Sequence, residues 1–262
     1  MMVTRTGTLF SANQINEAQN RESKALSRIA TGKQILAAAD DPAALSVTMT
    51  LEAMTRGLSM QINNRQDEIS LIQTAEGALG TLSEMTQRIR ELSVQASNGT
   101  LTDSDRQNIQ FEIDQLNQQA DQIANGTEFN TKKLLDGSLN LQLQNGNSLA
   151  IPPFDAANLG LTQVDVRTQS GASSSIGYAD QALDRVTTQR SSLGAIQNGI
   201  AAEVRNLTDE FLNTIAANSR ISDADIAREI VNLTNSQVQG QAATSAFRMD
   251  NAARTRVLQL LG

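Results

Sequence analysis

Histidine, cysteine and tryptophan are absent from the 262 residues, and aromatic side chains make up only 3%. Without histidine the chain lacks the commonest general base and the usual zinc ligands; without cysteine it has no thiol nucleophile and no disulfide. No catalytic, metal or cofactor constellation is therefore expected. The scarcity of aromatics argues against a core filled by large rings and for helix layers packed by Leu, Ile, Val and Ala. Positive charge is also short: 21 Lys and Arg against 28 Asp and Glu give a net charge of -7. With no basic cluster, no nucleic-acid partner is expected. No run approaches the roughly 20 apolar residues of a membrane span, so no membrane partner is expected. Met1 to Phe10 holds one arginine and no apolar centre, so it does not read as a secretory signal.

What the chain does have is a long apolar stripe. From Ala43 to Ala96, Val47, Leu51, Met54, Leu58, Ile62, Ile69, Ile72, Leu79, Leu82, Ile89 and Leu92 recur at mostly three- and four-residue steps. That alternation is the seam of a coiled-coil-like helix, with Arg65 and Ala75-Glu76 as its weak layers. Such a helix would be on the order of 80 Å long, about twice the width of a compact chain of this size. A rod is therefore expected.

Residues 1–42 are polar and weakly periodic, with Leu26, Ile29 and Ile35 as a thin stripe interrupted by Gly32. Asp41 suits an N-cap and Pro42 a first helical position. Asn98-Gly99 reads as a left-handed stop. A capping-box spacing from Thr102 to Asp105 opens a second helix carrying Ile109, Ile113, Leu116, Ala120 and Ile123, ended by Asn125-Gly126 and antiparallel to the first. Leu139, Leu141 and Leu143, the Asn145-Gly146 turn, then Leu149 and Ile151 give a β-hairpin. Val164 and Val166 suggest another short strand, and Ser170 to Ser175 a loop. From about Ser175 to Asn218 a second seam (Ala179, Leu183, Val186, Arg190, Leu193, Ile196, Ile200, Val204, Leu207, Phe211, Ile215) runs back along the first. After a break at Asn218 to Asp225, a last helix carries Ile226, Ile230 and Leu233 and ends Val257-Leu258-Gln259-Leu260-Leu261.

The expected fold is mainly α: a long antiparallel coiled-coil-like helical rod with a small β-hairpin cap and two terminal helical arms. The domains are 1–42 (N-terminal arm), 43–218 (rod, with the hairpin region at about 127–175) and 219–262 (C-terminal arm). Such a rod cannot hide all its apolar residues within one chain, and side-by-side association resolves this. A dimeric coiled coil satisfies the same physics.

Several motifs are sharper. LSRIATGKQILAAADDPAALSV (26–47), QRIRELSVQASNGT (87–100), EIDQLNQQADQIANGTEFNTKKLLDG, RISDADIAREIVNLT and the terminal VLQLLG resemble, in order and spacing, the signature segments of the bacterial flagellin family. About fifty residues separate the two helical halves, so the likeness is to a short flagellin without outer variable domains. The resemblance implies a structural subunit that self-assembles into the flagellar filament for swimming motility. It also implies secretion through the flagellar type III channel, an extracellular filament, and the arms as the filament's inner core. Expected partners are other copies, hook-associated junction and cap proteins, an export chaperone for the C-terminal arm, and the vertebrate Toll-like receptor that senses flagellin. A hook–filament junction protein of the same fold is the alternative; a secreted binding module for a host receptor or surface is a third reading, and an enzyme the least favoured.

Leu26, Ile29, Ile226, Ile230, Leu258 and Leu261 are the residues expected to drive polymerisation, because their thin stripes need neighbouring copies to cover them. Gln87, Arg88, Leu92 and Glu112 match family positions for subunit packing and receptor contact. Arg88 and Glu91 read equally well as an i,i+3 surface pair of a few tenths of a kcal/mol. Asp40-Asp41 and Asp223/Asp225 read as helix caps rather than paired catalytic carboxylates, since no nucleophile or ligand set accompanies them.

Overall fold

In the computed structural model the described residues are 2–142 and 148–261, with side chains described for 10, 12–142, 148–253, 255 and 256. They form six α-helices: α1 (Met2–Thr31), α2 (Pro42–Ala96), α3 (Asp103–Gly126), α4 (Ala156–Leu159), α5 (Gln169–Ser222) and α6 (Ile226–Leu261). Each boundary has a local cause. α1 stops where Gly32 turns left-handed (φ 68°), a conformation glycine adopts without Cβ strain. α2 starts where the Asp41 carboxylate accepts the Ala44 N–H at 2.9 Å. At α3 the Thr102–Asp105 capping box is complete in both directions. The Asp225 carboxylate accepts the Arg228 N–H at 3.2 Å and opens α6.

Four expectations are corrected. Asn98-Gly99 is not a left-handed stop, since the positive-φ glycines are Gly32, Gly137 and Gly160. The end of α2 is instead held from a distance: the buried Arg106 guanidinium donates to the carbonyls of Ala96 (3.0 Å) and Asn98 (3.1 Å), and the Gln169 amide to that of Ser97 (3.2 Å). A cation there also favours the negative helix end. Second, Val164 is extended, but neither it nor Val166 belongs to a strand. Side chains replace the missing neighbour: Gln110 accepts the Val166 N–H at 2.8 Å and donates to the Val164 carbonyl at 3.3 Å. Ser175 serves both backbone groups of Asp165. Third, Ser170 to Ser175 is helix rather than loop, because Thr168 Oγ1 accepts the Gly171 N–H and starts α5 early. Fourth, α5 runs through Asn218 to Ser222, leaving only 223–225 between it and α6.

The β structure is two antiparallel pairs. β1 (Glu128–Phe129) pairs with β2 (Lys132–Lys133), a hairpin absent from the sequence reading. Its turn residues, Asn130 (φ 47°) and Thr131 (φ 66°), both lie in the left-handed region, the geometry of a two-residue hairpin turn. β3 (Asn140–Gln142) pairs with β4 (Ser148–Ala150), Leu141 opposite Leu149, as the alternation of leucines implies; Leu143 and the expected Asn145-Gly146 turn lie outside the described residues. Gly137 (φ 84°) lets the chain reverse against Pro153, which a Cβ would approach to 2.9 Å.

The residues cluster into two compact units, Met1–Ser59 with Asp209–Gly262, and Met60–Thr208. The division falls inside α2 and α5. In the second unit Ile72, Leu79, Ile89, Leu92, Ile113, Leu134, Leu135, Leu149, Ile151, Leu161, Val186 and Leu193 form one buried core. Each fully buried Leu or Ile contributes about 1.5–3 kcal/mol. Buried α2 positions recur every seven residues (Arg65, Ile72, Leu79, Thr86, Ser93), and so do those of α5 (Ala179, Val186, Leu193, Ile200). Ion pairs Arg90–Asp180, Arg190–Glu76 and Arg65–Glu203 step along the two helices in opposite directions, so within this unit the seam is antiparallel.

Arg65 occupies a core position of that seam. Its side chain is 2% exposed and bonds Glu68 on its own helix and Glu203 across the seam, both at 2.7 Å. Burial works against the charge, but the two carboxylates outweigh it and hold the guanidinium above its usual pKa. Removing the carboxylate across the seam leaves the cation short of a partner, whereas an apolar side chain of similar length needs none. Glu203→Ala should lower full-chain stability by about 1–3 kcal/mol, while Arg65→Met should cost markedly less or stabilise. Urea unfolding followed by circular dichroism checks the order; a larger loss for Arg65→Met would contradict it.

Candidate functional site

In the first unit α1 and α6 pack antiparallel, and their seam is made of small and polar residues. Ala18 and Ala25 are 2% and 3% exposed, and Glu229 and Ser236 are buried with them. A Cβ at Gly240 would lie 3.6 Å from that of Ala18, so the backbones approach closely there. Arg28 pairs with Glu229 at 3.3 Å. Arg21 donates to Gln239 at 3.2 Å, and Gln237 to Glu22 at 3.1 Å. Many bulky apolar side chains of these helices point elsewhere: Phe10 is 67% exposed, Leu26 48%, Ile226 40% and Ile230 50%, with Val231, Val238 and Met249 also exposed, while Ile15, Ile29, Leu233 and Phe247 are half-buried. Single exposed apolar residues are ordinary on a protein surface. A helix pair that keeps alanine inside and isoleucine outside is a surface awaiting cover.

Among the residues expected to drive polymerisation, Leu26, Ile226 and Ile230 are exposed and Ile29 is half-buried. The side chains of Leu258 and Leu261 lie outside those described. The sequence reading missed Ala18, Ala25, Ser236 and Gly240, because it searched for large apolar residues. Their signal was spacing: Ala18 and Ala25, like Glu229 and Ser236, are seven apart.

The connectors are tied to one another. Gln34 N–H donates to the Ser222 carbonyl at 2.7 Å and Ala224 N–H to the Gly32 carbonyl at 2.9 Å, with an isolated bridge between Lys33 and Asp223. Asp40 binds Lys24 at 3.0 Å and accepts the N–H groups of Leu36 and Ala37. The Lys24 hydrogen bond first, then the backbone amides, hold its carboxyl below the usual range. Both aspartates of the 40–41 pair thus have structural partners.

In the second unit Arg88 and Glu112 are brought together: Arg88 reaches across from α2 to Glu112 on α3 at 2.7 Å, and touches Glu91 more loosely at 3.5 Å. The bridge between helices therefore takes precedence over the i,i+3 pair. Gln87 is exposed beside them. Leu92 is 1% exposed and belongs to the core of this unit, in keeping with its place in the apolar seam of α2.

The bacterial flagellin N-terminal helical region model matches residues 4–140, and the flagellin C-terminal helical region model matches residues 176–261. The chain belongs to the bacterial flagellin family. A flagellin of Halalkalibacterium halodurans is 38% identical over 251 residues, covering 92% of each chain. The crystal structure of Bacillus cereus flagellin aligns with a TM-score of 0.50 at 28% identity, covering 60% of this chain and 94% of that one. A Vibrio parahaemolyticus structure described as flagellar hook-associated aligns with a TM-score of 0.62 at 16% identity, covering 70% of this chain and 100% of that one, a likeness of fold alone. As a member of the flagellin family the chain is a structural subunit of the flagellar filament, the organelle of swimming motility. Among the described residues no group of three or more acidic side chains is placed to hold a metal ion, and no helix is long and apolar enough to cross a membrane.

The Asp40 tie gives a pH test. A carboxyl whose pKa is lowered on folding contributes stability above its unfolded value, about 3.9, and loses it as pH falls through the lower folded value. The thermal midpoint should therefore fall between about pH 4 and more acidic values, and Asp40→Asn should flatten that fall. Circular dichroism melts across this window check it; an unchanged acid profile in the variant would contradict the role given to Asp40.

Proposed function

We propose that filament growth is coupled to ordering of the two arms, with residues 1–42 and 219–262 forming the inner core of the filament. The observation that carries this reading is the inverted polarity of the α1–α6 pair: Ala18 and Ala25 are buried, while Leu26, Ile226 and Ile230 are exposed. A pair held by alanine contacts, exposed side-chain hydrogen bonds and one partly buried ion pair has little to set against the entropy of ordering two long helices. Neighbouring copies supply the missing burial, and Ile29, Leu258 and Leu261 complete the set that they cover. Premature growth is then disfavoured until subunits meet a growing end.

On the same reading the chain is exported through the flagellar type III channel to an extracellular filament. A chaperone holds the C-terminal arm until then, and hook-associated junction and cap proteins bound the polymer. Gln87, Arg88 and Glu112 form a subunit-packing surface that a vertebrate Toll-like receptor also reads. Catalysis is no part of this role. The junction-protein alternative draws only on likeness of fold at 16% identity, whereas the flagellin relative is 38% identical over nearly the whole chain.

Ile230→Asp and Val231→Asp each place a charge on the outward face without touching the α1–α6 seam. Electron microscopy after seeding should show long tubes for the natural chain and none for either variant, with unchanged helicity of the monomer by circular dichroism. Tubes from the variants, or from a chain lacking 1–42 and 226–262, would overturn the account of the arms. Short rings from the natural chain under all conditions would instead favour the junction protein.

A further inference from the structure

Outside the arms, a groove of about 660 Å³ runs between α3 and the segment 161–167. One bank is a single face of α3, where Gln107, Gln110, Phe111, Asp114, Asn117 and Gln118 follow at three- and four-residue steps; Thr162, Val164, Asp165 and Arg167 line the other. The bank is fixed in place, since Gln110 bonds the backbone of Val164 and Val166 and Asn117 donates to the Leu161 carbonyl at 3.3 Å. That last bond leaves Asn117 Oδ1 without a donor. The lining cation is taken up: Arg167 grips both oxygens of Asp165 at 3.0 and 2.9 Å, while the Asp114 carboxylate accepts from the neutral Gln110 amide at 2.9 Å. Gln107, Gln118 and Thr162 carry no side-chain hydrogen bond among the described residues. Above them Phe111 is 58% exposed.

We propose that this groove binds a neutral oligosaccharide. With Arg167 already held by Asp165 and the Asp114 carboxylate beside it, an anionic ligand has little to gain, and a lining rich in amides gives a lipid little to bury. Amide and hydroxyl groups that both donate and accept match vicinal sugar hydroxyls. An exposed aromatic ring offers the flat apolar face on which a pyranose stacks its C–H side. The inference is independent of the arms and of the polymerisation account.

Saturation-transfer NMR on the full-length monomer, with maltotriose and triacetylchitotriose as neutral probes and sialyllactose as the charged comparator, tests it. Transfer to the ring C–H protons of at least one neutral trisaccharide is expected. Phe111→Ala should weaken that binding roughly tenfold or more, and Gln107→Ala with Gln118→Ala several-fold, because a central aromatic anchor dominates small interfaces. All three substituted positions are exposed, so the melting midpoint should hold. No transfer to either neutral sugar, equal binding by Phe111→Ala, or binding of sialyllactose alone would overturn the proposal. Loss of tube formation in Phe111→Ala without any sugar binding by the natural chain would assign the groove to a second copy of the chain instead.

Discussion

The contact on which the first compact unit depends is the antiparallel seam of α1 and α6, built from Ala18, Ala25, Ser236 and Gly240 with Arg28–Glu229 beside them. Burying a methyl group removes little apolar surface from water, and in the partly buried Arg28–Glu229 pair desolvation offsets much of the attraction. Fixing a backbone residue costs about 1–2 kcal/mol, so a seam of this composition is weak for its length. Several residues with apolar surface to contribute, Leu26, Ile226 and Ile230 among them, face outward. Close backbone approach between the two helices and apolar cover from other copies are two consequences of one distribution of side-chain size.

The second unit follows the opposite rule. Its described leucines and isoleucines are buried or half-buried, its seam repeats every seven residues on both long helices, and its deeply buried Arg65 is matched by Glu68 and Glu203. Loops there are held by side chains of distant sequence: Arg106 on the end of α2, Gln110 on the 164–166 backbone, Gln169 on Ser97. One chain thus carries a unit that buries its apolar surface by itself and a unit that does not.

Much of this was legible in the sequence. The long seams, the Thr102–Asp105 capping box, the Asp41 cap and the hairpin of residues 140–142 with 148–150 all follow from period and cap chemistry, which are local. The family motifs were legible as strings. What failed was non-local or read by size. Arg106 and Gln110 look like surface residues of a polar helix until the fold brings carbonyls to them, so a left-handed stop at Asn98-Gly99 and a strand at Val164–Val166 looked sufficient. Thr168 extended α5 into a serine-rich run that resembles a loop. Arg65 was read as a weak layer, because its partner Glu203 lies 138 positions away. In the arms large apolar residues mark the outward face, while the alanines that make the inner one carry no signal of size.

The central claim is that the arms order through neighbours rather than through their mutual seam. Amide hydrogen exchange on the monomer and on assembled filaments, read peptide by peptide, tests it most directly. The account predicts rapid exchange across 2–31 and 226–261 in the monomer, slow exchange of the core peptides around Ile72–Leu92 in both states, and strong protection of the arms only in the filament. Protection of the α1 and α6 amides in the monomer comparable to that of the α2 core would contradict it.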